Sequence, residues 1–337
     1  MSPAIVAHHL TKRYPDGTEA ARAVSFQVEA GEIVGLLGAN GAGKSTTLNM
    51  LATLTRPTSG EAFIFGVPIC DRTAVRPLIG VALQSTGLDP LMSVIDQFQV
   101  QAALYRLSVR EARVRTEELL DLFQLEGVYR RRTGELSGGT QRRLALALSL
   151  LHNPKAIIFD EPTVGLDPNL RRTVWKLLME LRSKGLAVLF STHYMDEAES
   201  LCQRILLMSK GEIVASGTPD ELRSRIATCV LHLRVRDESG RAEEAVSLAI
   251  NYGIISPLAR YSADNSMLEV HGDLGESSIN GLISLFDRLG VVVVELHWGP
   301  GSLDEFFTQF AESTMDESQL QAVTMEHRAL ARRGGSR

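Results

Sequence analysis

The stretch Gly38-Ala39-Asn40-Gly41-Ala42-Gly43-Lys44-Ser45-Thr46 decides how this chain folds. It matches G-x-x-x-x-G-K-[ST], a loop built to wrap phosphate groups. Ile33-Val34-Gly35-Leu36-Leu37 ahead of it reads as a short buried strand, and Thr47-Leu48-Asn49-Met50-Leu51 behind it opens a helix. Strand, loop and helix in that order are the context the motif requires. The glycines let successive backbone N–H groups curl round the β- and γ-phosphates, and the helix N-terminus adds its dipole. Gly38, Asn40, Gly41, Gly43, Lys44, Ser45 and Thr46 are therefore candidate nucleotide-binding residues, with Lys44 a point charge for the β/γ-phosphates and Ser45 a hydroxyl for Mg²⁺. A chance glycine-rich turn would carry the same letters, so the rest of the chain has to decide.

Working outward, the 337 residues allow about two domains. With 44% hydrophobic and 22% charged residues the composition is that of an ordinary globular protein. Thirty-five basic against 40 acidic side chains leave a net charge of −5, which argues against a dedicated nucleic-acid binder. Cys70, Cys202 and Cys229 are scattered without metal spacing and read as buried thiols in a reducing compartment. No run approaches the ~18 apolar residues of a membrane span, and the N-terminus lacks the order of a signal peptide. The expectation is a cytoplasmic chain that needs another protein to span a membrane.

Upstream of the loop, Ile5–Ala7 and Ala23–Val28 read as strands around the turn Pro15-Asp16-Gly17. Tyr14 beside that turn either stacks on an adenine ring or covers a strand edge. Downstream, Ile79–Leu83 reads as a strand ending at Gln84, whose amide oxygen is placed to reach Mg²⁺ or water if the strand borders the loop; otherwise it is a turn residue. Helical spacing from Ser93 to Glu126 predicts a largely helical subdomain. Leu136-Ser137-Gly138-Gly139-Thr140-Gln141-Arg142-Arg143 then leads into an apolar helix, with Ser137 as N-cap. This is either a plain cap or a second anion site, redundant in a chain that already has one phosphate loop.

Ala156-Ile157-Ile158-Phe159 is a buried-strand pattern ending in Asp160-Glu161-Pro162. One carboxylate can serve Mg²⁺ and its neighbour can polarise water, because adjacent residues at a strand end point in different directions. The alternative is an acidic pair at a turn. Gly165-Leu166-Asp167-Pro168 precedes an amphipathic helix from Asn169 to Lys184, and Ala187–Thr192 forms a last buried strand ending at His193. At the C-terminal edge of a parallel sheet, where ligands bind, a γ-phosphate contact is the better reading of that histidine.

Residues 4 to about 220 together resemble the nucleotide-binding domain of ABC transporters. GANGAGKST looks like Walker A, Gln84 like the Q-loop, LSGGTQRR like the signature, AIIFDEP like Walker B with its catalytic glutamate, GLDP like the D-loop and His193 like the switch histidine; Tyr14 fits the A-loop aromatic. Thr140 and Val164 depart from the commoner family residues. The resemblance implies ATP and Mg²⁺ as cofactors, with Ser45, Gln84 and Asp160 around the metal. Lys44, Gln84, Glu161 and His193 become the catalytic set and Asp167 the link between two sites. It implies a head-to-tail homodimer in which Ser137, Gly138, Gly139 and Gln141 face ATP held by the partner. Leu88-Asp89-Pro90 and Ser302-Leu303-Asp304-Glu305-Phe306-Phe307 look like the daunorubicin-resistance exporter subfamily, which pairs its ATPase with a separate integral-membrane permease. The implied function is an exporter ATPase at the cytoplasmic face of the cell membrane, for drugs or other amphipathic compounds. Two rivals stand beside it. One is a non-transport ABC ATPase acting on ribosome or DNA, against which the single cassette and short insert argue. The other is a nucleotide-sensing regulator.

Beyond the helix near residue 220, strand and helix patterns follow in the order β-α-β-β-α-β, a ferredoxin-like α+β arrangement with no catalytic cluster. The expected division is 1–225 for the α/β P-loop ATPase domain with its helical subdomain, 226–311 for the small α+β module in dimerisation or regulation, and 312–337 for a polar tail.

Overall fold

The computed structural model describes residues 3–225, 229–237, 239–255, 259–262, 266–272 and 275–300. The expected tail and the Ser302–Phe307 stretch lie outside the described residues. In chain order the elements are β1 (Ile5–Arg13), β2 (Glu19–Val28), β3 (Ile33–Leu37), α1 (Lys44–Leu51), β4 (Ser59–Ile64), β5 (Val67–Pro68), α2 (Arg72–Val75), β6 (Ile79–Ala82), α3 (Val94–Leu104), α4 (Val109–Leu122), α5 (Gly138–Leu150), β7 (Ala156–Asp160), α6 (Pro168–Ser183), β8 (Ala187–Thr192), α7 (Met195–Leu201), β9 (Arg204–Ser209), β10 (Glu212–Gly217), α8 (Pro219–Arg225), β11 (Cys229–Asp237), α9 (Ala242–Asn251), β12 (Arg260–Ser262), β13 (Met267–Gly272), α10 (Glu276–Arg288) and β14 (Val291–Pro300).

The chain divides into two units, Met1–Pro219 and Asp220–Arg337. The expected boundary at residue 225 falls at the end of α8, and this division falls at its start.

Within the first unit, a six-stranded sheet runs β10-β9-β3-β8-β7-β6, parallel except for β10. Strands β3, β7 and β8 are buried at every residue, as strands covered on both faces must be. An antiparallel sheet, β2-β1-β4-β5, packs on α1 and the parallel sheet through one apolar core containing Ile5, Leu10, Leu48, Met50, Ile64 and Leu189. Its strand β2 shows mostly alternating burial, with one face in water. The helical stretch between Ser93 and Glu126 is two helices. Each begins with a reciprocal capping box, Ser93 with Asp96 and Ser108 with Glu111.

The second unit follows the expected β-α-β-β-α-β order, β11-α9-β12-β13-α10-β14, and its sheet order is β12-β13-β11-β14 with every neighbour antiparallel. Helices α9 and α10 supply Ala245, Ala249, Leu282 and Phe286 to a core with Leu231, Leu233, Leu268 and Val270. This is the ferredoxin-like arrangement the sequence pattern indicated. The pattern over Ile255–Tyr261 reads as a strand; Arg260 and Tyr261 lie in β12, and residues 256–258 lie outside the described residues.

Candidate active site

The parallel sheet sends four chain segments to one edge. β3 ends in the phosphate loop, β6 just before Gln84, β7 at Asp160 and β8 at Thr192, next to His193. Because β6, β7, β8 and β3 are consecutive neighbours, these ends lie side by side, at the carboxyl edge where such sheets take ligands.

In the phosphate loop, Gly43 has φ 104°, and a Cβ there would lie 2.1 Å from the Ala20 carbonyl oxygen at the start of β2. Only a glycine fits both constraints. Lys44 is buried, with its Nζ donating to the carbonyl oxygens of Gly38 (2.7 Å) and Ala39 (3.0 Å). Burial pushes its pKa down, and the charges of Glu161 and Asp160 oppose that shift. Asn40, Gly41 and Ser45 are exposed and Thr46 is half-buried. Tyr14 stands in the turn between β1 and β2, half-buried, with the Lys12 ammonium 5.4 Å from its ring centroid.

Asp160 lies opposite Ser191 in the β7–β8 register, and the Ser191 hydroxyl donates to its Oδ1. Glu161 follows in the left-handed region at φ 51°, which costs a residue with a Cβ about 1–2 kcal/mol. Two contacts hold it there. Its N–H is shared between Ser191 Oγ (3.0 Å) and Ser191 O (3.2 Å), and its carbonyl accepts from Arg142 at 2.8 Å. The turn brings Glu161 Oε1 to 3.1 Å from His193 Nδ1. The hydrogen bond from His193 lowers the Glu161 pKa, desolvation opposes it, and the charges of His193, Lys44 and Arg142 lower it further. Glu161 is thus an ionised acceptor at neutral pH, paired with a histidine at the neighbouring strand end. Gln84 is exposed two residues past β6.

Ser137 caps α5, its Oγ accepting from the Thr140 N–H at 3.3 Å and lying 2.9 Å from Thr140 Oγ1; it is exposed, as is Gly138. Gln141 behaves differently from its neighbours. Its amide nitrogen donates to Thr133 O (2.9 Å) and Leu136 O (3.4 Å), so that nitrogen stabilises its own loop and is not available to a partner. Asp167 caps α6 by accepting from the N–H groups of Asn169 and Leu170, and is exposed.

Arg142 was not singled out by sequence. It is 5% exposed and donates to the carbonyl oxygens of Leu83, Asp160, Glu161 (2.8 Å) and Pro162 (3.2 Å). One guanidinium therefore ties the segment carrying Gln84 to the turn carrying Glu161. The only signal available was a charged residue facing inward on an otherwise apolar helix.

The site fits Mg²⁺-ATP. The loop has bare Cα atoms, a buried lysine now satisfied by its own carbonyls, and Ser45, Gln84 and Asp160 as oxygen donors of the hard kind Mg²⁺ takes. Among the described residues no group of three His, Cys, Asp or Glu side chains could hold a metal.

The family model "ABC transporter" matches residues 21–164. The daunorubicin/doxorubicin resistance ATP-binding protein DrrA of Streptomyces peucetius is 35% identical over 326 residues, 96% of this chain and 97% of the relative. This chain belongs to the ABC transporter ATP-binding proteins. The Nod factor export ATP-binding protein I of Burkholderia thailandensis is 40% identical over 240 residues, 71% of this chain and 79% of that relative. Among solved structures, a dimeric ATP-binding cassette in a post-hydrolysis state with ADP and Pi bound is 31% identical, with a TM-score of 0.60, covering 64% of this chain and 98% of that one. This ABC protein is an ATPase, and the described residues include no helix long and apolar enough to cross a membrane.

Proposed function

We propose that this ABC ATPase is the motor subunit of an exporter. It works as a homodimer at the cytoplasmic face of the membrane and drives a separately encoded integral-membrane permease. The observation that carries this reading is the extent of the similarity to the drug-resistance protein, which takes in the second unit as well as the cassette. The substrate class that follows is a drug or another amphipathic compound.

Lys44 and the loop amides bind the phosphates, and Tyr14 stacks on the adenine. Ser45, Gln84 and Asp160 would hold Mg²⁺, which would neutralise charge on the phosphate oxygens. Glu161 orients the attacking water and accepts its proton, and His193 fixes Glu161 and contacts the γ-phosphate. Ser137, Gly138 and Gly139 complete the site of the partner subunit. Apart from its chain neighbours and the backbone of its own helical turn, no described atom lies within 4 Å of a Cβ placed on Gly138, so packing against the rest of the chain does not demand glycine there. A bare, exposed Cα at the N-terminus of α5 suits the close approach of an incoming phosphate.

The test is to purify the chain from detergent-solubilised membranes and identify what comes with it. A multi-span membrane protein in stoichiometric amount is expected. Ribosomal or DNA-repair proteins with no membrane partner would overturn the exporter reading.

A further inference from the structure

Behind the Glu161–His193 pair lies a second acid. Glu197, on α7, is 0% exposed. Its Oε1 accepts from Thr163 Oγ1 at 2.9 Å and from Trp175 Nε1 at 3.0 Å, and its Oε2 accepts from Thr192 Oγ1 at 2.6 Å. Each donor stands on a different functional segment. Thr163 is two residues past Glu161, Thr192 is the residue before His193, and Trp175 lies about two turns along the helix that Asp167 caps. Thr163 and Thr192 are themselves buried.

A second contact runs parallel to this one. The Arg171 guanidinium on α6 lies 4.9 Å from the Trp175 ring centroid and 4.7 Å from that of Tyr194, and it pairs with Asp196 at 2.6 Å. The Tyr194 ring lies 4.2 Å from the His193 ring. Burying a carboxylate is costly, and apolar packing would serve stability as well. A buried acid that collects three donors from three segments is better explained by the geometry it imposes.

We propose that Glu197 is a positioning residue for ATP hydrolysis, holding the Glu161 turn, the His193 strand end and the Asp167 helix in one register. It touches neither nucleotide nor water, and the inference rests on the roles proposed for Glu161 and His193. A shift of α6 at the dimer surface is passed through Trp175 and Glu197 to both catalytic groups. Glutamine in place of Glu197 has the same shape, but its nitrogen donates where a carboxylate oxygen accepted, so the Thr192 hydroxyl, which already accepts from the Tyr194 N–H at 3.0 Å, has to turn its own proton away and reverse its hydrogen bond.

The test measures steady-state hydrolysis and ATP affinity on the full chain for Glu197→Gln, Thr163→Val, Thr163→Ser and Glu161→Gln. Misplacement of catalytic groups predicts a fall in kcat of about ten- to a hundredfold for Glu197→Gln and Thr163→Val. The ATP dissociation constant should stay within about twofold, because the phosphate loop is untouched, and Thr163→Ser should restore activity by keeping the hydroxyl. If Glu197→Gln fails to fold, the Thr163 pair carries the test alone. A kcat near that of the unmodified chain in both Glu197→Gln and Thr163→Val overturns the inference. So does parallel loss of kcat and affinity, or a Thr163→Ser variant as poor as Thr163→Val. Glu161→Gln separates the levels. If it is active, the proposed catalytic reading fails; if it is inert while the Glu197 and Thr163 variants are fully active, only the present inference fails.

Discussion

Gly43 shows how a single residue sets the geometry of the nucleotide site. Its left-handed φ and the Ala20 carbonyl leave no room for a methyl group. Gly43→Ala therefore has to displace β2 or reopen the loop. The expected result is loss of ATP binding by at least about tenfold, checked by equilibrium titration with a fluorescent nucleotide, with the apolar core otherwise intact. At this scale much of the site was legible, because the phosphate loop, the acid pair and the strand-end histidine are each defined by residue type at a chain-local spacing. Arg142 and Glu197 were not legible. Apart from Thr192, five residues before Glu197, their partners lie about twenty or more residues away, so little in the local sequence distinguishes an inward-facing charge on α5 or α7 from a solvated one.

At the scale of elements, α5 links the helical subdomain to the acid turn. Its first turn exposes Ser137 and Gly138, its second buries Arg142 under the Glu161 turn, and Arg143 donates to the Phe123 carbonyl at the end of α4. A bulky charge at its N-terminus would obstruct the surface offered to a partner while leaving the chain's own phosphate loop clear. Ser137→Arg is expected to abolish hydrolysis and to keep ATP affinity within about twofold, measured by turnover and nucleotide titration. Full activity would remove the signature residues from the site. The sequence pattern located α5 and α6 well because capping residues mark both starts. It indicated helical structure from Ser93 to Glu126 without marking the break at the Ser108 cap, and it did not bring out α7, whose inward acid looks like surface.

For the whole molecule, the two units are built on separate apolar cores, one around Ile5, Leu48 and Leu189 and the other around Leu231, Leu282 and Phe286. The strand order of the second unit was legible from alternation along β11 and helical spacing in α10. Its function was not, because a packed core is no indicator of partner or ligand. Phe286 is 0% exposed, so Phe286→Ala should destabilise the second unit by about 3–5 kcal/mol. ATP affinity should be unchanged, since every proposed nucleotide contact lies in the first unit. Calorimetry with nucleotide titration checks both, and a loss of ATP binding would show that the second unit supports the site directly.

The claim on which the account depends is that Glu161 acts on water in a site closed by two copies of the chain. The direct measurement is steady-state hydrolysis by Glu161→Gln, together with the molar mass of that variant in Mg²⁺-ATP by size-exclusion light scattering. No turnover above background and an ATP-dependent shift from monomer to dimer are expected. Unchanged turnover, or a variant that binds ATP and remains a monomer, would contradict it.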